Sequence, residues 1–281
     1  IVAATAAMPD GTGIDKAIEQ FPTRVWDTGI CESHALDMLA GMAKTGCKPF
    51  FAVYSTFLQR AFDQAFQEVA LQGLPIRFCL DRAGLVGGDG PVHHGFCDIA
   101  LLRVLPNSVL LAAIDEQTLQ HGLQFMLTYE DGLSAIRYPR DAVCEHTSTS
   151  PPFILGKAHP LVQTPQAKLA ILAYGVTAID ALTAASRVES NCIDVYDARF
   201  AKPVDGELIE GLVGVERPDH PIAPGPLAVL EIVVIAMAVS ITRPVKPPGS
   251  QALSEARRCQ QAIDRLRIRL WCLVREEGVQ L

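Results

Sequence analysis

The sequence predicts an α/β protein: a largely parallel sheet with helices, followed by a second, smaller α/β domain. Short apolar runs alternate with amphipathic stretches through the first half, the pattern of strands joined by helical crossovers. The alternation restarts after residues 147–152, which are all Ser, Thr and Pro and read as a linker. Apolar residues make up 49% of the 281 and charged residues 20%, a composition able to bury a sizeable core.

Each element follows from its own residues. "IVAAT", "RVWDT", "PFFAVY", "PIRFCL", "SVLLAA" and "SAIRY" have strand length, most with β-branched or aromatic enrichment. Between them, "GIDKAIEQF", "ESHALDMLAGMAKTG", "TFLQRAFDQAFQEVALQG" and "DEQTLQHGLQFMLTYEDG" carry helical patterns. Two of these end on glycine, a common helix stop. Beyond the linker, "AKLAILAYG", "GVTAIDALTAASRVE", "CIDVYDARF" and "DGELIEGLVG" give strand, helix, strand, helix. The predicted domains are therefore 1–146 and 151–281, the second irregular after about residue 217.

Other classes are excluded or disfavoured. The net charge of −7 offers no basic face, so nucleic acid is not an expected partner. The longest apolar run, "LAVLEIVVIAMAVSI", contains Glu231 and falls short of the roughly 20 residues a membrane helix needs. It reads as a buried element, and no membrane association is expected. Cysteines at 31, 47, 79, 97, 144, 192, 259 and 272 form no CxxC pair and read as reduced core thiols of a cytoplasmic protein.

In open α/β sheets ligands bind beyond the carboxyl ends of the strands. "DTGICESH", "YSTFLQR" and "DRAGLVGGDGPVHHG" each follow a predicted strand, so three polar clusters converge on one rim. Taken singly, their members have ordinary explanations. Glu32 can be a helix-start carboxylate favoured by the macrodipole, and Arg60 a solvated helical arginine. His93 and His94, being adjacent, point apart in an extended segment and do not read as a metal pair. "GGDG" lacks the order of a dinucleotide loop, and no metal ligands are assigned.

Together the clusters are specific. "DTGICESHALDMLAGMAKTGCKPFFAVYSTFLQRAFDQ", "LPIRFCLDRAGLVGGDGPVHHGFCDIALLRVLPN" and "SAIRYPRDA" resemble the 1-deoxy-D-xylulose-5-phosphate synthase family of transketolase-like thiamine-diphosphate enzymes. "DVYDARFAKPVDGELIEGLV" is similar to the C-terminal domain of that family. The resemblance implies a pyrimidine-binding domain followed by a transketolase C-terminal-like domain. It also implies that the domain holding the diphosphate and its Mg2+ in this family lies outside the sequence. Two departures are visible: Ser33 stands where the family usually has glutamine, and the pattern is lost after about Arg217.

What the resemblance implies for individual residues follows from it alone. Glu32 matches the glutamate that binds the aminopyrimidine of thiamine diphosphate and favours its imino tautomer. Phe57 matches the aromatic that stacks on the pyrimidine, with Tyr54 and Arg60 beside it. His93 matches a proton carrier near the reacting carbon, and Asp89 an acid in the substrate pocket. Arg82 and Arg140 match the arginines that hold the phosphate of glyceraldehyde 3-phosphate. Pyruvate is the other implied substrate, and a homodimer the implied assembly. Two alternatives stay open: the β-subunit of a 2-oxo-acid dehydrogenase, and a non-catalytic remnant that keeps the fold.

Overall fold

A computed structural model describes residues 1–140, 150–165, 167, 169–188, 193–213 and 231–235, all within one compact unit, Ile1–Ile241. In chain order β1 (Val2–Thr5) leads through α1 (Pro9–Thr12) and α2 (Asp15–Gln20) to β2 (Val25–Asp27). Then come α3 (Glu32–Lys44), β3 (Pro49–Tyr54) and a helical segment with α4 (Phe62–Gln64) at its middle. β4 (Arg77–Asp81), α5 (Asp98–Arg103), β5 (Val109–Ala112), α6 (Glu116–Thr128) and β6 (Ser134–Arg137) complete the first part. Beyond residue 150 lie β7 (His159–Val162), β8 (Leu169–Ala173), α7 (Thr177–Ser186), β9 (Ile193–Asp197), β10 (Phe200–Lys202), α8 (Gly206–Val213) and β11 (Glu231–Ile235).

The first sheet has seven strands in the order β10-β5-β6-β4-β3-β1-β2. All neighbours pair in parallel except β10 with β5. β5 and β6 are buried at every residue, the signature of parallel strands covered on both faces. Successive side chains feed opposite faces. Leu110 and Ala135 join one cluster with Leu36 and Leu39 of α3, while Leu111 and Ile136 join another with Met126 of α6. Helices therefore cover both faces, as the alternating sequence predicts.

The helix ends are held from the sheet. At the start of α6, Asp115 and Thr118 form a reciprocal capping box, satisfying donors that the first turn leaves open. At its other end Arg77, fully buried, donates to the carbonyls of Met126 at 2.8 Å and Tyr129 at 3.0 Å. It also reaches Glu130 at 3.0 Å. Burial pulls the guanidinium below the ordinary arginine value, while Glu130 opposes that shift.

The second sheet has four strands, β11-β8-β9-β7, parallel except for β7 with β9. The chain crosses between the sheets from β9 to β10. Asp197 ends β9 and accepts from the N–H of Arg199 at 2.9 Å, and Arg199 has a left-handed φ of 56°. The Arg199 guanidinium donates to Ser150 Oγ at 2.7 Å, Pro151 O at 2.9 Å and Pro152 O at 3.0 Å. One buried arginine thus fastens the chain entering the second sheet to the chain leaving it. Lys202 then donates to the carbonyl of Arg103 and to Ser108 Oγ, each at 2.9 Å, near the end of α5.

The structure adds detail to two expectations and corrects a third. The helical pattern at 56–73 takes three windings: Ser55–Ala61 is 3-10 and Ala65–Ala70 is π-wound, with α4 between them. The irregular tail contains a strand, β11, paired in parallel with β8; the rest of that tail lies outside the described residues. Among the described cysteines Cys31, Cys47, Cys79 and Cys97 are free, but Cys31, Cys47 and Cys79 are only partly buried and Cys97 is exposed, rather than all being core thiols. No helix of the described residues is long and apolar enough to cross a membrane.

Candidate active site

Strands β6, β4, β3, β1 and β2 are consecutive and parallel, so their carboxyl ends lie on one edge. Glu32 follows β2, Tyr54 ends β3, Arg82 follows β4 and Arg140 follows β6. Sheet topology alone brings these residues to a common rim.

The 3-10 winding after β3 builds the first half of the site. With three residues per turn, positions three apart stack in line, and Tyr54, Phe57 and Arg60 are three apart. Tyr54 and Phe57 lie stacked at 5.8 Å with 17° between their planes. The Arg60 guanidinium sits 4.6 Å above the Phe57 ring. From there Nη1 donates to Glu32 Oε1 at 2.7 Å. Glu32 is the first residue of α3 and only 3% exposed. Ser33 ties the same two elements through its hydroxyl, which donates to Arg60 O at 2.6 Å.

The loop after β4 builds the second half. Arg82 has a left-handed φ of 58°, a conformation that costs a non-glycine residue about 1–2 kcal/mol. Asp81 holds it there, accepting from both the Arg82 N–H and Nη1 at 2.6 Å. Nη1 also donates to Gly11 O at 3.0 Å, and the guanidinium lies 3.7 Å over Tyr54. Nε donates to Asp89 Oδ2 at 2.9 Å, and Arg140 Nε lies 3.3 Å from the same oxygen. Burial pushes the Asp89 carboxyl up, but the Arg82 hydrogen bond and the charges of Arg140, Arg82 and His93 outweigh it and hold it below the usual range. Burial pushes Asp81 up, with Arg82 opposing.

His93 joins the halves. Its ring meets Phe57 edge-on at 5.5 Å and Tyr54 at 6.2 Å, and Nδ1 lies 2.8 Å from Asp89 O. A carbonyl only accepts, so Nδ1 carries the hydrogen and Nε2 is left as the basic nitrogen. His94 turns elsewhere: its Nδ1 accepts from the Val86 N–H at 2.9 Å, and its ring packs on Phe96 at 5.4 Å. The pair is thus divided between two partners, with His93 ending a 3-10 turn (Pro91–His93) rather than lying in an extended segment. The loop is pinned at its base by paired backbone bonds between Gly84 and Gly95, at 2.9 and 2.8 Å. Gly95 is required there, since a Cβ would come within 2.4 Å of Ser55 Oγ and 2.5 Å of Arg82 O.

Every site residue singled out in the sequence therefore enters one connected cluster. Two that were not singled out, Asp81 and Gly11, complete it. A Cβ on Gly11 would lie 1.6 Å from the Tyr54 hydroxyl, so only glycine lets that ring and the Gly11 carbonyl approach together. The signal for Asp81 was its place beside Arg82 at a strand end; nothing in periodicity marks Gly11. Chemically, the cluster offers a buried carboxylate beside an aromatic face, a histidine with one basic nitrogen, and two guanidiniums sharing one carboxylate. Among the described residues no group of three or more His, Cys, Asp or Glu is placed to hold a metal ion.

Comparison with known proteins bears on the fold and the family. Residues 1–145 match the model of the transketolase pyrimidine-binding domain. A 1-deoxy-D-xylulose-5-phosphate synthase of Helicobacter hepaticus is 45% identical over 211 residues, 74% of this chain and 34% of its own length. A 1-deoxy-D-xylulose-5-phosphate synthase 1 of Geobacter metallireducens is 46% identical over 218 residues, again 34% of its own length. The chain thus spans about a third of the curated relatives it matches. A solved split-gene transketolase, described as an inactive β4 tetramer, superposes with a TM-score of 0.69 at 24% identity, covering 83% of this chain and 73% of its own. That likeness carries the fold. The match over residues 1–145, half of the chain, shows that the chain belongs to the transketolase pyrimidine-binding domain family.

Proposed function

We propose that the chain is the pyrimidine-binding and C-terminal portion of a 1-deoxy-D-xylulose-5-phosphate synthase. In this reading the complete enzyme is a cytoplasmic homodimer using thiamine diphosphate and Mg2+. It decarboxylates pyruvate and joins the two-carbon remainder to glyceraldehyde 3-phosphate, opening the non-mevalonate route to isoprenoids. The two-domain division at 146–151 belongs to the same reading; the four-stranded sheet formed beyond residue 150 favours it, although β10 crosses back to pair with β5 in the first sheet.

One observation carries it: unbroken contact from Glu32 through Arg60, Phe57, Tyr54 and Arg82 to Asp89 and Arg140. This connects a carboxylate suited to an aminopyrimidine with guanidiniums suited to a phosphate. The residues fit the pyrimidine half of the cofactor. Arg60 takes Glu32 Oε1, which leaves Oε2 to share a proton with a ring nitrogen. In the same reading, which follows the family resemblance, the diphosphate and Mg2+ ligands come from another part of the complete enzyme.

When bound, thiamine diphosphate supplies the carbon nucleophile that carries the two-carbon unit. Glu32 holds the proton that the pyrimidine needs, and Phe57 gives that ring an aromatic face. His93 Nε2 accepts and returns a proton at the substrate oxygen. Arg82 and Arg140 orient the acceptor by its phosphate. The test is an assay of the complete enzyme for CO2 release from pyruvate in the presence of glyceraldehyde 3-phosphate, with Glu32→Gln as control. The amide keeps the volume but cannot share the proton, and turnover is expected to fall by orders of magnitude. Wild-type turnover in Glu32→Gln would reduce Glu32 to a helix-start carboxylate. For the 281-residue chain alone, calorimetry is expected to show weak or no binding of thiamine diphosphate; tight Mg2+-dependent binding would contradict the reading.

A further inference from the structure

We propose that Asp81 is the positioning residue that sets the Arg82 guanidinium for an anionic ligand, an inference that rests on reading Arg82 as a phosphate-binding group. Asp81 ends β4 and is buried. Its two carboxylate oxygens go to one neighbour. Oδ1 accepts the backbone N–H of Arg82 at 2.6 Å, and Oδ2 accepts Nη1 at 2.6 Å. The first contact satisfies a buried N–H in a left-handed turn, where the backbone has no regular partner. The second fixes the side chain that this turn launches.

The donor pattern on Arg82 shows what the arrangement leaves open. Nη1 gives one hydrogen to Asp81 and one to Gly11 O. Nε gives its hydrogen to Asp89. No described residue accepts from Nη2. A guanidinium presents Nε and Nη2 along one edge, the edge that grips a phosphate or carboxylate with two parallel bonds. Asp89, with its side chain partly exposed, sits on that edge, and an incoming phosphate takes its place there. Asp81 sits on the opposite corner, at Nη1, and keeps its hold while the ligand binds. The two aspartates on one arginine therefore differ: Asp89 is displaced by the ligand, and Asp81 aims the group that binds it. The Tyr54 face, 3.7 Å from the guanidinium, keeps the plane from tilting.

Charge and position predict opposite signs for one substitution. Asp81→Asn removes a negative charge beside Arg82, so electrostatics alone would tighten anion binding. Loss of aim would weaken it. The experiment is titration of the 281-residue chain and its variants with inorganic phosphate, followed by 31P NMR. Asp81→Asn is expected to weaken phosphate binding about tenfold, the loss of one well-placed charge-assisted bond. Asp81→Glu, which keeps the charge but moves the carboxylate by one methylene, is expected to weaken it as well. Asp81→Asn binding phosphate as tightly as wild type, or more tightly, while Arg82→Ala loses it, would overturn the proposal. Wild-type affinity in Arg82→Ala would instead sink the underlying reading of Arg82. Spectra of the unmutated chain labelled with 15N-arginine decide the matter even where a variant fails to fold. Arg82 is expected to show separate Nη1 and Nη2 signals, with phosphate shifting Nε and Nη2 only. A single averaged Nη signal would mean that nothing aims the guanidinium.

Discussion

Arg60 Nη1 lies 2.7 Å from Glu32 Oε1, joining the first turn of α3 to the 3-10 turn after β3. The Glu32 side chain is only 3% exposed, whereas that of Arg60 is 53% exposed. The buried partner depends on the pair and the exposed one does not. Arg60→Ala leaves a buried acceptor without its donor and is expected to cost about 1–3 kcal/mol. Arg60→Lys is expected to recover only part of this, because an ammonium cannot lie flat over Phe57 while reaching Glu32. Urea midpoints at constant slope measure both. An unchanged midpoint in Arg60→Ala would show that the pair does not form in solution.

A second stability prediction concerns Arg77. Its guanidinium is fully buried and holds the last carbonyls of α6. Arg77→Met keeps most of the volume but takes the donor from the buried carbonyl of Met126 and from the part-buried carbonyl of Tyr129. At about 1–3 kcal/mol for a buried unsatisfied group, and less for the part-buried one, the expected loss is roughly 2–3 kcal/mol. Hydrogen exchange locates it: the final turn of α6 is expected to lose protection first. Uniform loss across the first sheet would point to a packing defect instead.

How much of this was legible in the sequence depended on how local the cause was. The central strands of the first sheet were readable because they bury aromatic or aliphatic side chains on both faces, as in "PFFAVY" for β3. α3 and α6 were readable from their periodic faces. The 3-10 winding of 55–61 was not, because apolar residues at three- and four-residue spacing fit 3-10 and α turns alike. β10 is three residues long and exists only through its pairing with β5, so no local pattern announces it. The site residues were legible through resemblance rather than chemistry, since Glu32, Arg60 and His93 each have an ordinary explanation alone. Asp81 was passed over because its role lies in two hydrogen bonds to its own neighbour.

Stability is expected to depend on pH through Asp197. The carboxyl is fully buried at the crossing between the sheets, with Oδ2 lacking a hydrogen-bond partner. Burial pushes it up from 3.8 to about 7, against the pull of Arg199. The folded state therefore binds this proton more tightly than the unfolded state does. Its contribution is fully present below about pH 4 and is lost as pH rises toward 7. Thermal midpoints measured from pH 5 to 8 are expected to show a falling component that Asp197→Asn removes. The same slope in wild type and Asp197→Asn would assign the effect to another group.

The last prediction separates acceptor binding from proton transfer in the complete enzyme. Arg82 and Arg140 approach one Asp89 oxygen from two loops, at 2.9 and 3.3 Å. A phosphate replacing that carboxylate would meet both. Either arginine changed to alanine is expected to raise KM for glyceraldehyde 3-phosphate by roughly ten- to a hundredfold, the loss of one charge-assisted contact. KM for pyruvate is expected to change little, since pyruvate carries no phosphate. The two variants should differ in stability. The Arg82 side chain is 10% exposed and that of Arg140 is 49% exposed, so Arg82→Ala is expected to lower the melting temperature and Arg140→Ala to leave it nearly unchanged. His93→Ala belongs to another class. Its ring is anchored at Asp89 O through Nδ1, and in the proposed role of proton carrier it acts in the chemical steps. Turnover is therefore expected to fall with both substrates saturating, while the KM values stay within a few-fold of wild type. The measurement is a pair of saturation curves for each variant. Equal weakening toward both substrates in Arg140→Ala, with its fold intact, would mean that this arginine does not hold the phosphate.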